Sequence, residues 1–152
     1  MKRPYNEEKK ENSKRPEGIV SWAEIDLNAI EFNIKAFKKH ISPQVEVIAV
    51  VKANAYGHGA VQVANTALSC GASRLAVHRA IEGVELRQAG IEAPVLIMGY
   101  TPPDGAKLIV KNNLTPSLIT YELAQALSTQ AQALGRSIPV HIKVDTGMGR
   151  YG

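Results

Sequence analysis

The sequence predicts an α/β protein in which about five parallel strands alternate with helices. Short apolar runs rich in valine and isoleucine recur between longer segments whose apolar residues have helical spacing. This alternation is typical of βα units that build a parallel sheet. The glycine fingerprint of a dinucleotide-binding fold is absent after the first strand, which weighs against that class. The spacing alone leaves two architectures open, a doubly wound open sheet and a barrel.

The length of the chain limits how much of a barrel it can form. The chain has 152 residues, which is enough for one domain with a sizeable core. A closed (β/α)8 barrel typically needs about 250 residues, so any barrel here is expected to be incomplete. Residues 1–18 contain six basic and four acidic residues and almost no apolar ones, and we expect a disordered polar leader there. The folded part is expected to span residues 19–152.

The composition argues against several classes of function. The net charge is only +4, and no basic patch is interleaved with aromatic residues, so we expect no nucleic-acid partner. No apolar run approaches the roughly 20 residues that cross a bilayer, and the first residues do not resemble a signal peptide. The expected location is therefore the cytoplasm, without a membrane. The lone Cys70 offers no disulfide, and a buried inert thiol is expected.

The first predicted elements surround the longest β-type run. A short strand over 19–27 is expected to lead into a helix with a capping box formed by Asn28 and Glu31. The helix should end before Pro43. The uninterrupted apolar run 47–51 predicts a strand buried on both faces of a parallel sheet.

The remaining elements follow the same alternation. Thr120 is expected to cap the last helix, and Gly135 to end it. Strands are predicted over 74–78, 94–100, 114–119 and 139–145, with helices over 59–70, 80–89, 102–110 and 120–134.

Lys52 follows the strand 47–51 directly and has no carboxylate next to it in sequence. Most lysines in such a position extend into water. In a parallel α/β fold, however, active sites collect at the carboxyl ends of strands. An amine with a pKa lowered by burial can attack an aldehyde. Tyr56 and the turn 57–59 would add a phenol and backbone N–H donors that could receive an anion.

Three segments together resemble the alanine racemases. The run 51–59 (VKANAYGHG) resembles the pyridoxal-phosphate lysine motif of that family, and 141–150 (HIKVDTGMGR) resembles its second signature. The segment 22–27 (WAEIDL) resembles the strand that opens those enzymes. The resemblance covers nearly all of 21–152 and implies the N-terminal portion of a TIM-type (β/α)8 barrel. The later strands and the C-terminal β-domain of the family are outside these residues.

The resemblance also implies roles for four residues. Lys52 would carry pyridoxal 5'-phosphate and act as the base on one face of the substrate. Tyr56 would bind the cofactor phosphate, and Arg150 would bind both the cofactor ring oxygen and the substrate carboxylate. In that family the lysine that matches Lys143 is often carbamylated, and the resulting anion orients the arginine. An ordinary salt bridge between Lys143 and Asp145 is the alternative. No metal site is expected.

The activity implied is the interconversion of L- and D-alanine by two opposed bases, which supplies D-alanine for peptidoglycan. The family is homodimeric, and its second base is a tyrosine of the partner subunit that these residues do not include. We therefore expect this chain to be a fragment with little activity alone. Two alternatives remain open, a related racemase acting on serine and a noncatalytic fragment that binds pyridoxal phosphate.

Overall fold

Residues 17–152 are described by a computed structural model of the chain. They form one sheet of five strands in the order β1-β2-β3-β4-β5. The elements are α1 (Leu27–His40), β1 (Ile48–Val50), α2 (Lys52–Tyr56), α3 (Ala60–Ser69), β2 (Arg74–Val77), α4 (Ala80–Gln88), β3 (Val95–Ile97), a 3₁₀ turn (Pro103–Gly105), α5 (Ala106–Lys111), β4 (Thr115–Leu118), α6 (Tyr121–Ala133) and β5 (His141–Ile142). The predicted alternation of five strands with helices is confirmed.

The strand order distinguishes between the two architectures that the sequence left open. All four strand pairs are parallel, and each strand lies beside the one that precedes it in the chain. A doubly wound sheet reverses direction at a switch point, and no reversal occurs among these five strands. The sheet therefore has the topology of part of a barrel, and it is open, with β1 and β5 at its two edges.

The core lies between the sheet and the helices that cover it. The strands and helices both supply large apolar side chains that are fully buried: Leu75, Val95, Ile97, Ile109, Leu114 and Leu123. Burying one such side chain stabilises the fold by roughly 1.5–3 kcal/mol. The strands β2, β3 and β4 therefore lie in the most fully buried part of the described residues, and the loops after them start from this core.

The first predicted strand is not formed. Residues 19–26 have no regular structure, and most of them are exposed. A strand needs a neighbour for its backbone hydrogen bonds, and the described sheet offers none to this segment. The capping box expected at Asn28 is also wrong. Asp26 is the N-cap of α1, because its Oδ1 accepts the N–H groups of Asn28 and Ala29 at 2.9 and 3.2 Å, while Glu31 pairs with Lys35.

The strand before Lys52 is less buried than predicted. Ile48 and Val50 are 38% and 39% exposed, so β1 is not covered on both faces. Ile48 and Val50 are two residues apart and share one face of β1, which the described residues leave uncovered, whereas Ala49 on the other face packs against the core. The other edge strand of the sheet, β5, is more open still, with Ile142 at 78% exposed. Cys70 is partly exposed rather than buried.

The predicted cap of the last helix is formed. Thr120 caps α6, with its hydroxyl oxygen accepting the N–H of Leu123 at 3.4 Å.

Residues 1–16 of the predicted leader lie outside the described residues, and the leader's last two residues are exposed. No helix in 17–152 has the length and apolar character that crossing a membrane requires.

The burial pattern predicts that Leu75→Ala will destabilise the fold strongly. Leu75 is fully buried in β2, so its truncation should lower the free energy of unfolding by about 2–5 kcal/mol. Urea unfolding followed by circular dichroism measures the change. Ile142→Ala is the matched control and should cost less than about 0.5 kcal/mol, because its side chain is largely exposed. Equal losses for the two variants would contradict this description of the core.

Candidate functional site

Lys52 begins a short left-handed turn at the carboxyl end of β1. The four residues after it, Ala53 to Tyr56, all have positive φ angles between 50° and 55°. Left-handed backbone costs roughly 1–2 kcal/mol for each residue with a Cβ atom, and here four such residues follow one another. Such a segment persists only where the surrounding structure over-determines it. The contacts that hold this turn in its left-handed conformation therefore determine the geometry of the site.

Most of the turn's hydrogen bonds are local. The N–H groups of Gly57, His58 and Gly59 donate to carbonyl groups within the turn. The Ala60 N–H donates to Oδ1 of Asn54 at 2.8 Å. These four N–H groups are thus already satisfied, and the expectation that the turn's backbone is free to receive an anion is wrong. His58 also serves the turn, with its Nδ1 2.9 Å from the Ala55 carbonyl oxygen.

One side chain from a distant part of the sequence also holds the turn. Oε1 of Glu82, on α4, accepts the N–H of Ala53 at 2.7 Å. Oε2 of the same carboxylate accepts the N–H groups of His78 and Arg79, each at 2.8 Å. Glu82 therefore links the residue after Lys52 to the loop that follows β2. Glu82 was not among the site residues expected from the sequence, although a glutamate in the first turn of a predicted helix is a recognisable capping signal.

The charge of Glu82 is stabilised by these contacts. Burial of the carboxylate would raise the pKa of Glu82, but the three backbone donors at Arg79, Ala53 and His78, together with the positive charge of Arg79, outweigh that effect. The pKa of Glu82 is therefore held below its usual value, and the group is an anion at neutral pH.

Lys52 and Tyr56 lie together, as the sequence predicted. The Nζ atom of Lys52 is 5.8 Å from the centroid of the Tyr56 ring, within reach of a cation–π interaction. Lys52 is partly exposed rather than buried, because it follows an edge strand. Tyr56 is 63% exposed, so its hydroxyl group is accessible. The amine and the phenol are both available to a small molecule at this end of the sheet.

A second group of side chains follows β5. Lys143 Nζ donates a hydrogen bond to the Met98 carbonyl oxygen at 3.3 Å, so its side chain reaches past β4 to the end of β3. The same Nζ is 5.5 Å from the centroid of the Tyr151 ring, and the guanidinium carbon of Arg150 is 5.8 Å from it. Tyr151 thus brings Lys143 and Arg150 to one ring, and the sequence analysis did not single it out.

Asp145 orders the loop between Lys143 and Arg150. Its carboxylate accepts the N–H of Gly147 at 2.9 Å and that of Gly149 at 2.9 and 3.1 Å. These donors lower the pKa of Asp145. Within 17–152 the ion pairs are Lys35–Glu31 and Arg74–Glu46, so the salt bridge considered between Lys143 and Asp145 is not formed.

The two groups lie at the same end of the sheet without touching. Lys52 follows β1 and Lys143 follows β5, and parallel strands place both at one carboxyl edge. In the part of the chain that the structure describes, no hydrogen bond, ion pair or ring contact joins Lys52 or Tyr56 to Arg150. The same residues contain no cluster of histidine, cysteine, aspartate or glutamate that could hold a metal ion.

Comparison with known proteins gives a consistent result. The sequence profile of the alanine racemase N-terminal domain matches residues 25–152. An alanine racemase of Desulforamulus reducens is 50% identical over 131 residues, which are 86% of this chain and 35% of that protein. The solved structure of alanine racemase from Clostridium difficile 630 has a TM-score of 0.86 at 40% identity and covers 90% of this chain and 36% of that one.

A racemase with another substrate has the same fold. The histidine racemase from Leuconostoc mesenteroides subsp. sake is 32% identical with a TM-score of 0.75, over 84% of this chain and 34% of that chain. The strand order is thus that of the first part of a TIM-type (β/α)8 barrel. The chain belongs to the alanine racemase N-terminal domain family. It spans about a third of the length of the relatives that it matches.

The contacts of Glu82 predict a pH-dependent stability. Glu82→Gln should lower the free energy of unfolding by about 1–3 kcal/mol near neutral pH, because an amide cannot accept hydrogen bonds through both of its polar atoms. A lowered pKa means that the stabilisation is complete above the ordinary value of 4.5 and is lost as the pH falls through the folded-state pKa. Urea unfolding of both proteins across this range should give a difference that shrinks under acid conditions. A difference independent of pH would contradict the assignment.

Proposed function

We propose that this chain is the N-terminal part of a pyridoxal-phosphate-dependent alanine racemase, which interconverts L- and D-alanine. The observation that carries the proposal is Lys52, which lies at the carboxyl end of a barrel strand within a constrained left-handed turn. Membership in the family and the names of its relatives support the choice of alanine. The activity, the substrate and the partner are proposals, because the chain spans only about 35% of those relatives.

The side chains at the site fit the proposed cofactor. Pyridoxal phosphate has an aldehyde that needs a primary amine, and Lys52 offers one that is accessible. Its phosphate needs hydrogen-bond donors, and the exposed Tyr56 hydroxyl lies on the same turn as that amine. Lys143 and Arg150 add two cationic groups near one tyrosine ring. When bound, the cofactor would withdraw electrons from the substrate α-carbon, so that its proton becomes removable.

Each residue then has a defined task. Lys52 would hold the cofactor through its amine, which would also be placed to move the α-proton on one face of the substrate. The Tyr56 hydroxyl would donate to the cofactor phosphate. Arg150 would bind the substrate carboxylate, for which a guanidinium fork is the best-suited cation, and would also bind the cofactor ring oxygen.

Lys143 is proposed to be carbamylated. As an unmodified cation it shares the Tyr151 ring with Arg150, so two like charges converge there. A carbamate would replace one of them with an anion, and it could then orient the guanidinium of Arg150. Asp145 cannot do this readily, since its carboxylate is already engaged by the glycine N–H groups of the loop.

Two alternative functions follow from the same observations. The histidine racemase among the structural neighbours indicates that this fold also serves other amino acids, so a racemase acting on serine or another substrate is the second candidate. Comparing rates on several amino acids with the longest available reading frame distinguishes it. The third candidate is a noncatalytic fragment that binds the cofactor. It would take up pyridoxal phosphate without exchanging the α-proton of alanine in deuterium oxide.

Two further proposals concern the location of the protein and its partner. We infer a cytoplasmic location, consistent with the lack of a membrane-crossing helix among the described residues. The partner is proposed to be a second copy that supplies the opposing base.

Lys52→Arg is expected to abolish covalent attachment of pyridoxal phosphate. The variant keeps the positive charge, but a guanidinium cannot act as the amine nucleophile. Borohydride reduction of the chain with the cofactor, followed by peptide mass spectrometry, locates the labelled lysine. We expect labelling of residues 51–60 to fall by about tenfold or more.

Lys111→Arg is the matched control for this experiment. Lys111 is exposed at the carboxyl end of α5, shortly before the amino end of β4 and so away from the strand ends of the site, and its replacement should leave labelling unchanged. Equal labelling of the Lys52 variant and the parent chain would remove the basis of the proposed function.

The 152-residue chain alone is expected to racemise alanine very slowly. Loss of one general base typically costs about 10²–10⁴ in rate, and the second base is proposed to lie outside this chain. The measurement is D-alanine formation from L-alanine with added pyridoxal phosphate. The full-length alanine racemase of Desulforamulus reducens serves as the positive control. A rate close to that of the control would contradict the assignment of half a site to these residues.

A further inference from the structure

The left-handed turn after Lys52 packs its buried Ala55 against the core, and its one long-range side-chain hydrogen bond among the described residues is to the carboxylate of Glu82. Its other side-chain hydrogen bonds are made by Asn54 and His58, which belong to the turn itself. Local bonds of this kind move with the turn and cannot fix its place relative to the sheet. The bond from Ala53 to Glu82 joins residues that are 29 positions apart, so it ties the turn to a separate element.

We propose that Glu82 is a positioning residue that holds the Lys52 amine in place at the carboxyl end of β1. This inference rests on the proposed function of Lys52. The Ala53 N–H that Glu82 accepts belongs to the peptide bond between Lys52 and Ala53. Fixing that peptide plane fixes the direction in which the Lys52 side chain leaves the backbone. Glu82 acts through the backbone and is not a catalytic residue.

Glu82 is itself held rigidly. The adjacent Gly83 lies so close to Leu114 that an added Cβ atom would be 2.9 Å from Leu114 Cδ2, so α4 packs tightly against the core. Further along the same helix, Arg87 donates to the carbonyl oxygens of Ile91 at 2.7 Å and Ala93 at 2.9 Å. A functional group supported from a rigid helix is placed more accurately than one supported by a loop.

Both carboxylate oxygens are needed for this role. Oε1 accepts from Ala53, and Oε2 accepts from His78 and Arg79, which are in the loop after the neighbouring strand. The register pairs Val50 with Ala76, so the two loops that Glu82 joins follow adjacent strands. Glutamine keeps the size of the side chain, but its NH2 group would face backbone donors on one side. The single glutamine oxygen satisfies two donors on the side of His78 and Arg79 and only one on the side of Ala53, so Glu82→Gln is expected to keep the former and release Ala53.

The first measurement needs no cofactor. Amide hydrogen exchange of the Ala53 N–H, followed by NMR, reports whether its hydrogen bond is formed. In Glu82→Gln the exchange should become about tenfold faster than in the parent chain, because a single charged hydrogen bond is lost. Glu85→Gln is the matched control. It removes the same charge from an exposed position on the same helix and should leave Ala53 exchange unchanged.

The second measurement uses pyridoxal phosphate as the probe. At a cofactor concentration that half-labels Lys52 in the parent chain, a tenfold weaker affinity, in parallel with the loss of amide protection, should lower borohydride labelling in Glu82→Gln about fivefold. If the glutamine variant does not fold, Glu82→Asp replaces it. Aspartate keeps the charge and the capping of α4 but withdraws the carboxylate by one methylene, so Ala53 protection should fall while α4 stays protected.

The outcomes separate the two proposals. Unchanged Ala53 exchange in the Glu82 variants, or unchanged labelling of Lys52 despite faster exchange, would overturn the positioning role. If Lys52 of the parent chain takes up no cofactor, the proposed function fails and the role of Glu82 in it fails too, whatever the exchange data show. Faster exchange and weaker labelling, both absent in Glu85→Gln, support the assignment.

Discussion

The site depends on a backbone conformation that its residues do not favour. Four consecutive residues with Cβ atoms adopt positive φ angles directly after Lys52, at a total cost of several kcal/mol. The stabilising contacts include the local hydrogen bonds made by Asn54 and His58, the carboxylate of Glu82, and the burial of Ala55 in the core. A right-handed helix would have continued the strand's usual βα connection. The left-handed turn instead reverses the course of the chain within a few residues and keeps Tyr56 beside the lysine.

The sequence contained the alternation of elements but not the conformation of the turn. Hydrophobic periodicity located all five strands and the helices between them, because burial of apolar faces dictates that pattern. The run 51–59 shows glycines at Gly57 and Gly59, and both have positive φ. Ala53 and Ala55 gave no signal of positive φ, since alanine is the best helix former and its left-handed state is imposed by tertiary contacts. Glu82 was missed for the same reason, as its role depends on a residue 29 positions away.

Errors in burial and in element type occur at the edges of the sheet. Val50 was expected to be buried and is 39% exposed, because it shares with Ile48 the face of β1 that the described residues leave uncovered. The segment 19–27 has strand-like composition but no partner strand in the described residues, so it remains irregular until Asp26 starts α1. Local sequence predicts the tendency to form a strand. Whether the strand forms and is covered depends on neighbours that local sequence does not specify.

The same edges explain why the two halves of the site do not meet. Lys52 follows β1 and Arg150 follows β5, the two outer strands of an open five-stranded sheet. In a closed barrel of eight strands, strands four places apart face each other across the mouth. Curving the sheet into such a barrel would turn its two edges toward one another and bring both cations over a common opening. The Lys143 side chain already extends past β4 to the Met98 carbonyl group, along the face of the sheet that would line such an opening. The strands that would complete the curvature would therefore contribute to the site by fixing its geometry as well as by adding residues.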